Sequence, residues 1–176
     1  VGIRYWPSHI SCLHKQQSNT YISRILESNS ICDILEYTPN AKTLVVFDLD
    51  NTLVYTAQDV GSDPWFYHLL NEKIASGLSR DEVLAIILPM YYEVYNHITL
   101  SPVEPDSTTV LSTLQSRGIP TVALTTRSLP LVERTKIQLK ETGFNFAACN
   151  IFAKDLTFQL VKPALLTDGI IFCNDN

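Results

Sequence analysis

Short apolar runs that end in polar residues alternate along this chain with longer segments whose apolar residues recur at helical spacing. The run Thr43–Phe47 contains no charge, which is the pattern of a strand buried on both faces and placed in the middle of a sheet. Runs at 119–124 and 170–173 predict two further strands, and the alternation over 156–160 predicts a half-exposed one. Strands separated by helices in this order predict an α/β fold with a parallel sheet and right-handed crossovers.

The helices are predicted from apolar residues at helical spacing and from capping residues at their ends. Two apolar stripes over residues 20–37 are out of phase across Ser28-Asn29-Ser30, so the helix there should be broken or kinked. A helix should start at Asp106 or Ser107 ahead of the second strand, and another should cover 128–142 after it.

Two more helices are predicted within residues 55–105, between the first two strands. Asp63 as N-cap, followed by Pro64, starts the first of them. The capping box Ser79–Glu82 starts the second, which Pro89 should kink or split. We call residues 55–105 the helical insertion.

The composition is that of a globular protein, with 176 residues, 45% hydrophobic and 18% charged. We expect one domain over 1–176 that includes the helical insertion. The net charge of -5 argues against nucleic-acid binding, which depends on Lys and Arg. No apolar run approaches the roughly 20 residues of a membrane helix, so no membrane span is predicted. The chain starts at Val1 and not at Met, so one expectation is that a targeting segment has been removed and that the protein is exported or periplasmic. The sequence does not define the compartment or the oligomeric state.

The first strand ends in two aspartates, Asp48 and Asp50. Strand side chains alternate, so both can project from the carboxyl edge, where α/β sheets bind ligands. Two close carboxylates repel unless a cation compensates them, and Mg²⁺ takes one or two carboxylates together with water and substrate phosphate. The alternative interpretation is that both are ordinary turn residues after a core strand.

The segment Val45–Leu53 resembles the first motif of the haloacid dehalogenase (HAD) superfamily, an apolar strand followed by Asp-x-Asp-x-Thr. The resemblance implies a Rossmann-like parallel sheet with helices on both faces and a small helical cap, which the helical insertion would supply. It also implies that Asp48 is the nucleophile and Asp50 the general acid/base, and that both take part in binding Mg²⁺. The aspartate at the second acidic position of the motif, here Asp50, makes the chain resemble the phosphatases of the superfamily. The dehalogenases and the ion-pumping ATPases have no aspartate at that position.

The segment Ile119–Arg127 resembles the second motif of the superfamily, another buried strand that ends in Ser or Thr. The resemblance implies that Thr125 hydrogen-bonds a phosphoryl oxygen, and it leaves the roles of Thr126 and Arg127 undefined. The alternative for Thr125 is an ordinary threonine at a strand end.

Two later motifs, a lysine and one or two acids, have no secure match. Lys162 and Lys154 are candidates for the lysine, and Asp175 is the candidate for the acidic metal ligand. Only twelve residues separate Lys162 from Asp175, too few for a helix of ordinary length and a strand. We therefore expect a chain truncated at its C-terminus, most similar to an uncharacterised bacterial group within the superfamily whose members are often exported.

Together these inferences predict a Mg²⁺-dependent phosphatase that hydrolyses a small phosphorylated substrate through an aspartyl phosphate on Asp48. The alternative is a catalytically incomplete HAD-like module for binding or interaction. A phosphorylated receiver domain is a third interpretation, disfavoured because receivers lack a large helical insertion. The sequence does not identify the substrate.

Overall fold

A computed structural model describes residues 24–37, 42–149, 152 and 154–174. The predicted start of the first helix and the candidate acid Asp175 lie outside these residues. Within them the chain forms five α-helices and seven strands. In chain order these are α1 (Ile34–Tyr37), β1 (Val45–Asp48), β2 (Val54–Thr56), α2 (Asp63–Ala75), α3 (Arg80–His97), β3 (Leu100–Pro102), α4 (Ser107–Ser116), β4 (Thr121–Thr125), α5 (Val132–Glu141), β5 (Leu156–Phe158), β6 (Ala164–Thr167) and β7 (Ile170–Phe172).

Five strands form the main sheet in the order β1-β4-β7-β6-β5. The pairs β1–β4 and β4–β7 are parallel, whereas β6 is antiparallel to both β7 and β5. The predicted α/β fold with a parallel core is therefore confirmed, and an antiparallel edge completes a mixed sheet. The β6–β7 connection is a tight turn in which Asp168 and Gly169 both have positive φ, the geometry that a two-residue hairpin requires.

The predicted position of the first strand was wrong. Among the described strands β1 pairs with β4 alone and stands at the end of the order, not in the middle. Its burial alternates, because Val45 and Phe47 are buried while Val46 is 45% exposed. An uncharged run shows that each side chain could be buried, but the elements that pack on each face decide which ones are.

One hydrophobic core joins the described helices to one face of the sheet. The strand residues that belong to this core alternate along each strand with residues on the opposite face of the sheet. The core strand residues include Val45, Phe47, Ala123, Ile170 and Phe172. Helices α4 and α5 contribute Val110, Leu111, Leu114, Val132 and Leu139 to the same cluster. The core thereby fixes the carboxyl ends of β1, β4 and β7 at one edge of the sheet.

The helical insertion contains the antiparallel pair of helices α2 and α3, which have a small core of their own built on Leu70, Val83 and Ile87. Strands β2 and β3 pair antiparallel with each other and so join the two ends of the helical insertion. Helix α3 ends against α5, where Gln138 Nε2 donates hydrogen bonds to the main-chain oxygens of Tyr95 and Ile98.

One predicted helix detail, the N-cap of α2, was wrong, and another, the capping box of α3, is confirmed. The N-cap of α2 is Ser62, not Asp63; its hydroxyl accepts the Trp65 N–H. Helix α3 is continuous through Pro89 from Arg80 to His97, so the proline does not split it. Proline in a helix costs about 3 kcal/mol, and the burial of one helix face outweighs a loss of this size. The capping box of Ser79 with Glu82 is present as predicted.

The Ser79 cap gives a first testable prediction. Ser79→Ala should lower the free energy of unfolding by about 1 kcal/mol, because the Glu82 N–H loses its side-chain acceptor. Urea titration followed by circular dichroism measures the change. Ser112→Ala on α4 is the matched control: that hydroxyl bonds only the Thr109 oxygen one turn back, so the substitution should be neutral or slightly stabilising. Equal effects of the two substitutions would contradict the capping role.

Candidate active site

The predicted site residues meet at the carboxyl edge of the parallel strands. Asp48 is the last residue of β1 and stands in register with Leu124 of β4. Thr125 is the last residue of β4, and Asp50 follows β1 in the next turn. The fold thus carries all three to one edge of the sheet, the usual place for ligands in α/β proteins.

Asp48 is exposed and is oriented by the turn that follows it. Its Oδ2 accepts a hydrogen bond of 2.7 Å from the Thr52 hydroxyl. The turn is closed by hydrogen bonds from the N–H groups of Thr52 and Leu53 to the Leu49 oxygen. Asn51 takes a φ of 57°, a conformation that Asn adopts more readily than most residues. The Asp48 carboxylate is therefore accessible while a neighbouring hydroxyl fixes its direction.

Asp50 is held in a different way, by a buried arginine. Arg127 Nε donates to Asp50 Oδ2 at 2.9 Å and Arg127 Nη2 donates to Oδ1 at 2.7 Å, which is a bidentate ion pair. The side chain of Arg127 is 5% exposed and that of Asp50 is 40% exposed. Arg127 also donates to the Thr135 hydroxyl and lies over the Tyr95 ring at 4.9 Å. The Tyr95 hydroxyl donates to Asp50 Oδ1 at 3.3 Å.

In this cluster, burial and the neighbouring charge of Asp50 shift the pKa of Arg127 in opposite directions. Burial by itself would lower the pKa of Arg127, but the hydrogen bonds and the charge of Asp50 outweigh it and the pKa is raised. Burial raises the pKa of Tyr95 and of Tyr91 well above the ordinary tyrosine value, and the Asp50 charge adds to the effect. Both tyrosines are therefore neutral at physiological pH, so Tyr95 is a hydrogen-bond donor to Asp50.

Thr125 supports the loop that carries Arg127. It is 2% exposed, and its hydroxyl oxygen accepts the Arg127 N–H at 3.2 Å. Further along the loop, the Ser128 hydroxyl accepts a hydrogen bond of 2.8 Å from the Tyr92 hydroxyl of α3. The loop after β4 is thus joined to both the sheet and the helical insertion.

A cavity of about 280 Å³ opens beside Asp50 and Arg127. The helical insertion forms its opposite wall with aromatic side chains and with Asp63, whose carboxylate accepts a 2.7 Å hydrogen bond from the Asn51 amide. A larger cavity of about 360 Å³ lies near Lys136 and contains none of the predicted site residues. Asp50 lines the smaller cavity, whereas Asp48 and Thr125 do not, and we assign the site to this cavity because it contains Asp50 and Arg127.

The lysine candidates are not placed beside Asp48. Lys162 lies in the β5–β6 connection at the same sheet edge, where the Asn174 amide bonds the Pro163 oxygen. Strand β6 is three positions from β1, about 14 Å at the usual strand spacing. Lys154 precedes β5 and so lies towards the opposite edge of the sheet.

Among the described residues, the ligands available to Mg²⁺ are the Asp48 carboxylate and a main-chain oxygen. No group of three or more His, Cys, Asp or Glu residues that could hold a metal ion occurs within the described part of the chain. The Asp50 carboxylate is occupied by Arg127, which leaves the exposed Asp48 carboxylate and a main-chain oxygen. Mg²⁺ commonly binds through one or two carboxylates together with substrate phosphate, so this set is sufficient.

Sequence reasoning missed the roles of Arg127 and Tyr95. Arg127 was left undefined, and the aromatic residues of α3 were not connected with the aspartates. The signal that could have found Arg127 is its position two residues beyond a strand end that was already expected to face Asp50.

The fold and the site together define an α/β protein whose mixed sheet carries, at its carboxyl edge, an exposed aspartate next to a second aspartate that is bound by a buried arginine and a buried tyrosine. The chain belongs to the DUF2608 family, described as a protein of unknown function, which matches residues 24–176. No curated protein and no solved structure matches the chain at a significant level. None of the helices in the described ranges is long and apolar enough to span a membrane.

Proposed function

We propose that the protein is a Mg²⁺-dependent phosphatase of the HAD type, which hydrolyses phosphomonoesters through an aspartyl phosphate on Asp48. The main support is the exposed Asp48 carboxylate at the end of β1, which the Thr52 hydroxyl orients. Asp50 follows two residues later and lines a cavity. An accessible carboxylate next to a positioned acid/base is the arrangement that nucleophilic catalysis with proton transfer requires.

The reaction takes two displacements. Asp50 first takes the proton of the bound phosphomonoester monoanion. An oxygen of Asp48 then attacks phosphorus, the ester P–O bond breaks, and its electron pair goes to the leaving oxygen, which takes that proton from Asp50. The Asp50 carboxylate then takes a proton from water as the water oxygen attacks phosphorus. The acyl-phosphate P–O bond breaks, inorganic phosphate leaves and the Asp48 carboxylate is restored.

Other groups at the sheet edge support these steps. When bound by the Asp48 carboxylate and the Asp50 main-chain oxygen, Mg²⁺ supplies positive charge that offsets the charge of the phosphoryl group. The Thr125 hydroxyl accepts the Arg127 N–H and keeps its own proton to donate to a phosphoryl oxygen. Arg127 is a positioning residue in this proposal, because it fixes both Asp50 oxygens until one turns towards the leaving group.

Turnover of p-nitrophenyl phosphate tests the proposal. We expect release of p-nitrophenol with Mg²⁺, loss of turnover when EDTA removes the metal, and recovery when Mg²⁺ is added in excess. Turnover that is unchanged by EDTA would reject the metal requirement. Absence of turnover from pH 5 to 9 with Mg²⁺ would reject the phosphatase.

One observation favours a second candidate function, a non-catalytic binding module. Arg127 engages both oxygens of Asp50, so that carboxylate is occupied and not free to transfer a proton. Such a module would bind a phosphorylated molecule without hydrolysing it. Calorimetric binding of a phosphomonoester that stays intact after prolonged incubation distinguishes the two functions.

A further inference from the structure

The cavity next to Asp50 is the part of the site that would receive the leaving group. In the proposed function, on which this inference rests, Asp50 protonates the leaving oxygen, so that oxygen must come within hydrogen-bond distance of Asp50. Asp50 lines the cavity, and the helical insertion provides the facing wall. The chemistry of that wall therefore indicates which leaving groups fit.

The wall is aromatic, and its rings are only partly used in packing. Phe66, Tyr67, Tyr91 and Tyr92 all line the cavity. Tyr67 is 54% exposed and meets Phe66 edge to face, with 5.7 Å between ring centroids and 80° between the planes. Tyr95, by contrast, is 2% exposed and belongs to the hydrophobic core. Exposed ring surface of this kind binds planar rings by stacked or edge-to-face contacts.

The charges along the cavity disfavour an anionic leaving group. Its charged lining consists of Asp50, Asp63 and Arg127. Arg127 is paired with Asp50, so Asp63 leaves the lining net negative. A second anionic group on the substrate would approach Asp63, which is exposed, so the two like charges repel across solvent and the repulsion is modest.

We propose that the substrates of this site are phosphomonoesters whose leaving group is a planar aromatic ring without negative charge, bound between the aromatic wall of the helical insertion and Asp50. Saturated leaving groups of equal size lack the flat face that stacks on Tyr67 and Phe66. Leaving groups that carry a carboxylate or a second phosphate are disfavoured by the charge of Asp63.

Three synthetic esters test this with the whole chain and Mg²⁺: benzyl, cyclohexylmethyl and 4-carboxybenzyl phosphate. All three leaving groups are primary alcohols, so their intrinsic reactivities are similar while planarity and charge differ. We expect kcat/KM for benzyl phosphate to exceed that for cyclohexylmethyl phosphate by about tenfold, the upper end for one aromatic contact. The carboxylated ester should be hydrolysed more slowly than benzyl phosphate by about threefold at low ionic strength, and Asp63→Asn should narrow that gap.

Tyr67→Leu is the specific variant, because an exposed tyrosine can be replaced without disturbing the core. It should lower the benzyl-to-cyclohexylmethyl ratio several-fold. Ile86→Ala, at a 54% exposed position on α3 that does not line the cavity, is the matched control and should leave the ratio unchanged. Equal hydrolysis of benzyl and cyclohexylmethyl phosphate, or a ratio unaffected by Tyr67→Leu, overturns this inference and leaves the phosphatase standing. Failure to hydrolyse any of these esters or p-nitrophenyl phosphate overturns both.

Discussion

Asp48→Asn should reduce kcat for p-nitrophenyl phosphate by about 10⁴-fold or more, the scale seen when a catalytic nucleophile is removed. Asparagine keeps the shape of the side chain and an oxygen that accepts the Thr52 hydroxyl, but it is a much poorer nucleophile. Asp48 is exposed, so the folded state should be retained and the melting temperature should change little. Steady-state kinetics with Mg²⁺, together with a thermal melt, measures both effects.

A matched control variant distinguishes loss of the Asp48 nucleophile from loss of one negative charge. Asp59→Asn removes one exposed carboxylate in the segment after β2, where only the Asp59 main-chain oxygen is bonded, to Ser62. Its kcat should equal that of the wild-type protein. If Asp48→Asn retained full turnover, the assignment of the nucleophile would be refuted, and another group would have to attack phosphorus.

Arg127→Met should have the largest effect on stability. The substitution leaves the Asp50 carboxylate without its bidentate partner and removes the donor to the Thr135 hydroxyl. Breaking a buried ion pair costs about 3–5 kcal/mol, and because Asp50 is 40% exposed we expect about 2–3 kcal/mol of lost unfolding free energy. Urea denaturation measures the loss. Arg117→Met, at an exposed position where the guanidinium bonds the Leu35 oxygen, should cost less than about 0.5 kcal/mol.

A double-mutant cycle isolates the contribution of the pair. Asp50→Asn removes the charge that Arg127→Met leaves unpaired, so the double variant should lose less stability than the sum of the two single losses. The difference should be about 1–2 kcal/mol, because the two side chains are in direct contact. Strict additivity would show that the two charges stabilise the fold independently and would contradict the coupling described for this site.

The parallel core of the sheet and the two aspartates of the site, Asp48 and Asp50, could be predicted from the sequence because they depend on local patterns. Uncharged runs separated by helices indicated the α/β fold, and Asp48 and Asp50 were found because they directly follow such a run. The turn at Asp168 and Gly169 likewise consists of residue types that favour turns, and both residues have positive φ. Each of these signals lies within a few residues of the structure that it specifies.

What the sequence did not show depends on contacts between distant segments. Val46 has the same apolar character as Val45 and yet is 45% exposed, since coverage of a strand face is decided by elements elsewhere in the chain. Strand β6 was missed because four residues carry too little periodicity to be distinguished from a loop. Arg127 lies 77 residues from Asp50 in sequence, and no local pattern joins them.

Within the described residues, the two ends of helix α3 are held by different parts of the protein, because its N-terminal half packs on α2 and its C-terminal end is bonded to α5. Hydrogen bonds from Gln138 hold its C-terminal end, whereas Arg80 at the other end lies about 27 Å away at 1.5 Å per residue. A tilt of about 10° around the C-terminal end would displace Arg80 by about 5 Å and Tyr95 by only about 0.5 Å. Such a rod can widen the entrance for a bulky molecule while the hydrogen bond from Tyr95 to Asp50 stays intact.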